Sequence, residues 1–154
     1  MERLATAAAQ AGHRVALAYA DCGSYGGLDQ VCARLGVARL GGLHCFDVFA
    51  GQDRVRAELA AEPGTYLLTD YLVATFRRSV VVPLGLEAHP ELWPDYFGHY
   101  RRLVWLTQAS GPPESQLVAK AEAIAARFGL PMTVVETGTA RLERELESLL
   151  KDAA

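Results

Sequence analysis

Two cysteines and a histidine stand where short apolar runs give way to turns: Cys22 within Asp21-Cys22-Gly23, and the adjacent pair His44-Cys45. Asp70 and Thr107-Gln108 follow two further runs of the same kind. Thiolate and neutral imidazole suit zinc or another thiophilic ion, held by three protein ligands with one open position where the site is catalytic. Cys22, His44 and Cys45 are the candidate metal ligands, with Asp70 as a further possible donor. Neighbours in sequence rarely bind one ion, so one of His44 and Cys45 is expected to ligate and the other to pack or hydrogen-bond. A second chemistry makes Cys22 a nucleophile. It precedes Gly23 near the start of a helix, His44 would be its base, and Asp70 completes the catalytic candidates. A third reading gives the cysteines no chemistry at all, since free cysteine is commonly a buried space-filler.

These residues need a scaffold that gathers them. Glu2–Ala11 is Ala-rich and stops at Gly12, as a short helix does. The apolar runs His13–Ala20, Val37–Leu43, Thr65–Thr69, Leu103–Thr107 and Pro131–Glu136 read as strands. Between them, Leu28–Leu35 and the segment carrying Val48, Phe49, Val55 and Leu59 read as helices. Leu72–Val82 is read as helix despite Val80-Val81-Val82, and Glu87–Tyr100 as an aromatic turn-and-helix segment. Gly111-Pro112-Pro113 breaks the chain before a helix over Glu114–Phe128. In the last helix, Ala140–Leu150, the residues Leu142, Leu146, Leu149 and Leu150 share helical spacing and are expected in the core or an interface. The alternation predicts one α/β domain over 1–154, a mostly parallel sheet of about five strands with helices on both faces, three-layered and Rossmann-like. In such sheets ligands bind beyond the carboxyl ends of the strands, so Cys22, His44-Cys45 and Asp70 are expected on one rim.

Composition narrows the function classes. With 15 Lys+Arg against 18 Asp+Glu, the net charge of −3 excludes the concentrated cationic surface that nucleic acid or anionic membranes require. Half the residues are apolar (51%), enough for a core, yet no apolar run approaches the roughly 20 residues of a membrane span. The opening residues lack the apolar core of a secretory signal. Three unevenly placed cysteines make no disulfide framework, and a reducing cytoplasm is the expected location.

Other features are weaker. The turn Gly23-Ser24-Tyr25-Gly26-Gly27 opens a helix as phosphate loops do, but it matches no nucleotide fingerprint and no lysine follows it. Arg77-Arg78 and Arg101-Arg102 offer an anion clamp, and Cys32 is expected in the core. His13 and His89 read as exposed.

The stretches Val15–Gly23, Val37–Phe46, Pro63–Thr69 and Tyr96–Val104 together are similar to a family of uncharacterised bacterial and archaeal proteins, domain of unknown function family 1638. The resemblance runs from about Arg14 to Leu150. Its carriers are a Cys-Gly turn, a histidine closely followed by a cysteine, a Pro-Gly-Thr-Tyr segment, and a Tyr-Phe-Gly-Asn-Tyr-like segment. Many members have His-Asp-Cys where this chain has His44-Cys45, and many carry an extra N-terminal α/β segment not found here. The resemblance implies a cysteine/histidine site, and an uncovered surface where that segment is lacking. Some members are encoded beside corrinoid-dependent methyl-transfer systems.

The resulting expectation is a zinc-binding α/β protein acting in small-molecule group transfer such as methyl transfer. The alternative is a non-catalytic module that binds a small ligand or assists a partner enzyme. Homodimer formation through the opening helix, residues 4–11, is expected because exposed sheet edges and apolar faces are normally covered.

Overall fold

The computed structural model describes residues 2–109 and 114–152. The predicted break at Gly111-Pro112-Pro113 lies outside the described residues. The chain divides into two compact units, one formed by residues up to Gln52 together with those from Thr139, the other by Asp53–Gly138. The α/β class and the parallel pairing hold. The strands, however, fall into two sheets, one of two strands and one of three, where a single sheet was expected. Apolar runs reveal strands but not which strand pairs with which.

In the first unit, α1 (Glu2–Gln10), β1 (Ala16–Leu17), α2 (Gly27–Leu35), β2 (Ala38–Arg39) and α3 (Cys45–Ala50) are joined by the closing helix α8 (Ala140–Asp152). β1 and β2 pair in parallel, with Ala16 opposite Ala38 and Leu17 opposite Arg39. Both are shorter than their apolar runs. Gly42, at φ +113°, turns the chain soon after β2, and Ala18 and Tyr19 after β1 are exposed. α2 ends at Gly36 in the left-handed conformation, whose amide bonds back to Cys32. Cys32 itself is buried, as expected.

In the second unit, α4 (Gln52–Ala61) leads to β3 (Thr65–Thr69), α5 (Asp70–Phe76), α6 (Trp93–Phe97), β4 (Arg102–Thr107), α7 (Ser115–Phe128) and β5 (Met132–Glu136). The order is β3-β4-β5, all parallel. β4 is the central strand, and Leu103, Val104, Trp105 and Leu106 are wholly buried, so both of its faces are covered. Val80 and Val81 prefer strands locally, yet they lie in a π-helical turn, Arg77–Val81, continuing α5. Their burial in the core outweighs that preference. Tyr66, Trp93, Phe97, Tyr100 and Phe128 pack as tilted and edge-to-face rings, which makes the aromatic segment part of this core.

The leucine stripe of α8 is only partly interior. Leu149 is buried and Leu142 and Leu146 are half-buried, while Leu150 is 61% exposed. At about 100° per residue, Leu150 falls on the outer edge of the stripe that Leu142, Leu146 and Leu149 define. Leu149→Ala is therefore expected to destabilise the protein by about 2–4 kcal/mol, and Leu150→Ala by less than about 0.5 kcal/mol, in denaturant unfolding. Equal effects from the two would contradict this orientation of α8.

Candidate functional site

Because β1 and β2 run in parallel, the chain leaves both from the same end of the pair. Asp21-Cys22 follows β1, and Gly41–Cys45 follows β2. The two segments meet: the Cys45 backbone N–H donates to Cys22 Sγ at 3.1 Å, joining residues 23 apart in sequence. Cys45 is the first residue of α3, so its amide has no carbonyl partner within that helix, and the Cys22 sulfur takes that place. Cys22 is exposed and Cys45 half-buried.

Each segment is held from below. Asp21 is buried and accepts from the Gly26 amide at 3.0 Å and from the Ser24 hydroxyl. Ser24 Oγ in turn accepts from the Leu28 amide at 3.0 Å. Two amides at the mouth of the following helix, those of Gly26 and Leu28, are thus engaged by the protein's own carboxylate and hydroxyl, and the Gly27 amide by the Ser24 carbonyl. On the other segment Asp47 is buried, and its Oδ2 accepts from the Leu43 amide at 2.8 Å. Gly42 is required there. A Cβ would come within 2.8 Å of the Asp47 Cβ, and φ is positive. His44 Nδ1 lies 3.4 Å from the same Asp47 oxygen, buried and without a hydrogen bond in that geometry. The carboxylate therefore faces one ring nitrogen and leaves Nε2 as the nitrogen free to serve a ligand.

The far end of α3 is fixed from the last helix. Arg141 Nη2 donates to the carbonyls of Asp47 and Val48, at 2.6 Å each. Gly51 lies against this guanidinium, where a Cβ would sit 3.1 Å from Nε. Asp47 and Arg141 are supports that the sequence did not single out. Arg141 and its acceptor Asp47 stand 94 positions apart, which leaves no local pattern to read.

Burial in the pair pushes the Cys45 thiol up, from an ordinary 9.0 to about 11, reinforced by the neighbouring Cys22 sulfur and its hydrogen bond, and opposed by the Phe46 and Cys45 amides. Cys32 is likewise raised, chiefly by burial.

The other candidates are occupied elsewhere. Asp70 belongs to the other unit, at the first turn of α5. Its Oδ1 accepts from Trp105 Nε1 and its Oδ2 from the Gln108 amide, both at 2.9 Å, which ties β3 to β4. Arg102 reaches Thr65 and Glu58, Arg101 caps the Gly98 and Tyr100 carbonyls, and Arg77 pairs with Glu87. His13 and His89 are exposed.

Two sulfurs and an imidazole are the donor chemistry of a thiophilic ion. Among the described residues, no group of three His, Cys, Asp or Glu side chains is assembled around one point. The model for proteins of unknown function, DUF1638, matches residues 2–146. The chain belongs to the DUF1638 family. No curated protein and no solved structure matches it. In this DUF1638 protein the Cys-Gly turn and the His-Cys pair, two segments separate in sequence, are in contact at Cys22 and Cys45. Among the described residues no helix is long and apolar enough to cross a membrane.

The unequal thiols make an alkylation prediction. Iodoacetamide followed by peptide mass analysis should label Cys22 first, because it is exposed, and Cys45 only as the pH approaches about 11. Labelling of Cys45 at neutral pH as fast as an unstructured thiol would contradict its burial beside Cys22.

Proposed function

We propose that this protein binds a thiophilic metal ion, zinc, through the sulfurs of Cys22 and Cys45, and that binding draws in His44 Nε2 as a third donor, since among the described residues the three side chains are not gathered around one point beforehand and the adjacent His44-Cys45 pair was expected to give only one ligand. The observation that supports this most is the Cys45 N–H to Cys22 Sγ hydrogen bond of 3.1 Å, which brings two soft donors together where β1 and β2 end. Asp47 Oδ2, 3.4 Å from His44 Nδ1, is placed to serve as the outer carboxylate of a ligating imidazole once the ring turns to bond it. A bound zinc would supply Lewis-acid polarisation, or hold a substrate thiol or water, in a small-molecule group transfer such as methyl transfer. The chain's own part is to present the exposed Cys22 sulfur to incoming ligand and to keep Cys45 half-buried. The raised Cys45 thiol must lose its proton on binding, so zinc affinity is expected to fall as the pH is lowered. A reducing, cytoplasmic setting keeps both sulfurs available.

A second reading, a non-catalytic ligand-binding or accessory module for a partner enzyme, draws on Asp70. Each of its oxygens is bonded to a structural donor, Trp105 Nε1 or the Gln108 amide, which makes it a tie between strands and not a catalytic acid or base in this reading. Homodimer formation through α1, where Leu4 is 70% exposed, belongs with either reading.

Metal analysis of protein purified without added metal, with Cys22→Ser, Cys45→Ser and His44→Ala beside it, tests the proposal. Near-stoichiometric zinc is expected in the parent. It should be lost in both cysteine variants, with affinity lowered by about 10–100-fold in His44→Ala. Equal metal content in all four proteins, or no uptake of zinc by the reduced parent, would overturn it.

A further inference from the structure

The second unit holds a groove of about 340 Å³ along α5 and α7, built without any residue of the cysteine pair. Its floor is apolar and buried: Val73 and Phe76 from α5, Val81 from the π turn, and Ile124 from α7. Two alanines on its walls, Ala74 and Ala123, are exposed, so small side chains leave the space open. A floor of this kind takes an apolar body, and the volume lies at the lower end of small-molecule sites.

The rim decides the charge of the occupant. Arg77 is neutralised by Glu87, its Nε 2.5 Å from the carboxylate. The Arg127 guanidinium stacks over the Trp93 ring, 4.4 Å from its centroid. Lys120 is exposed and, among the described residues, has no carboxylate partner. It stands two turns from Arg127 on α7, about 10 Å along the axis, so each cation marks one stretch of the rim. Among the described residues neither Lys120 nor Arg127 has a carboxylate partner, so the rim is cationic and complements a negatively charged head on a hydrocarbon body; Lys120, whose ammonium is not held on an aromatic ring, is the one placed to meet it.

We propose that the α5–α7 groove binds a small amphipathic carboxylate, its hydrocarbon part on Val73, Phe76, Val81 and Ile124 and its carboxylate at Lys120. The site is independent of the metal reading, and it gives the protein a second place to hold a small molecule.

Isothermal titration calorimetry of the whole protein with octanoate, and with 1-octanol as the uncharged comparison, tests this. Saturable binding of octanoate is expected, with 1-octanol on the order of tenfold weaker or more. Ala123→Leu fills the trough from an exposed position and should abolish octanoate binding. Lys120→Glu should weaken octanoate on the order of tenfold while leaving 1-octanol unchanged. Unaltered circular dichroism melting of both variants excludes misfolding as the cause. Equal affinity for octanoate and octanol, full binding by Ala123→Leu, or absence of saturable octanoate binding would each overturn the proposal. None of these outcomes bears on zinc content, so the two readings fail separately.

Discussion

Parallel pairing of β1 with β2 is the constraint on which the candidate site depends. Two parallel strands must send their following connections off the same end, whatever their length, and here the ladder is only two residues long on each side. The Cys22 sulfur and the first amide of α3 then satisfy one another, a helix-end donor finding an acceptor across a tertiary contact. The arrangement is reinforced behind the contact, not at it. Asp21 and Ser24 hold one segment, Asp47 holds the other, and Arg141 pins the carbonyl end of α3. A short ladder with strong side-chain support places its cysteines by hydrogen bonds more than by sheet.

The second unit has the opposite character. A fully buried central strand, β4, with aromatic packing around Tyr66, Phe97 and Phe128, gives it a larger apolar core. Its strand-end carboxylate serves structure: Asp70 joins β3 and β4 through the Trp105 indole and the Gln108 amide. A carboxylate at a strand end is thus a tie in this unit, while sulfur at a strand end is exposed in the other. Position on a rim alone does not separate the two. Exposure does: Cys22 is exposed, whereas Asp70 is half-buried with both oxygens bonded to groups of the neighbouring strand and its following residue.

Much of this was legible in the sequence, and the gaps have physical causes. β3 matches its apolar run residue for residue and β4 nearly so, because strands buried on both faces leave an uninterrupted apolar signature. The runs at 13–20 and 37–43 overstate β1 and β2, since an apolar segment with one neighbour need not be hydrogen-bonded along its length. The division into two sheets was not legible, because side-chain alternation carries no information about partners. Cys22 and Cys45 were legible through topology, as residues that follow paired strands. Their supports were not. Asp47 reads as an ordinary first-turn acid, and Arg141 as a surface residue of an amphipathic helix, until the tertiary contacts are formed.

The central claim is that two sulfurs brought together by this pairing serve a metal ion. X-ray absorption at the zinc edge, on protein loaded with one equivalent of zinc under reducing conditions, reads the donor atoms directly. The account predicts two sulfur scatterers at about 2.3 Å with an imidazole nitrogen at about 2.0–2.1 Å. A shell of oxygen and nitrogen alone, with no sulfur, would contradict it.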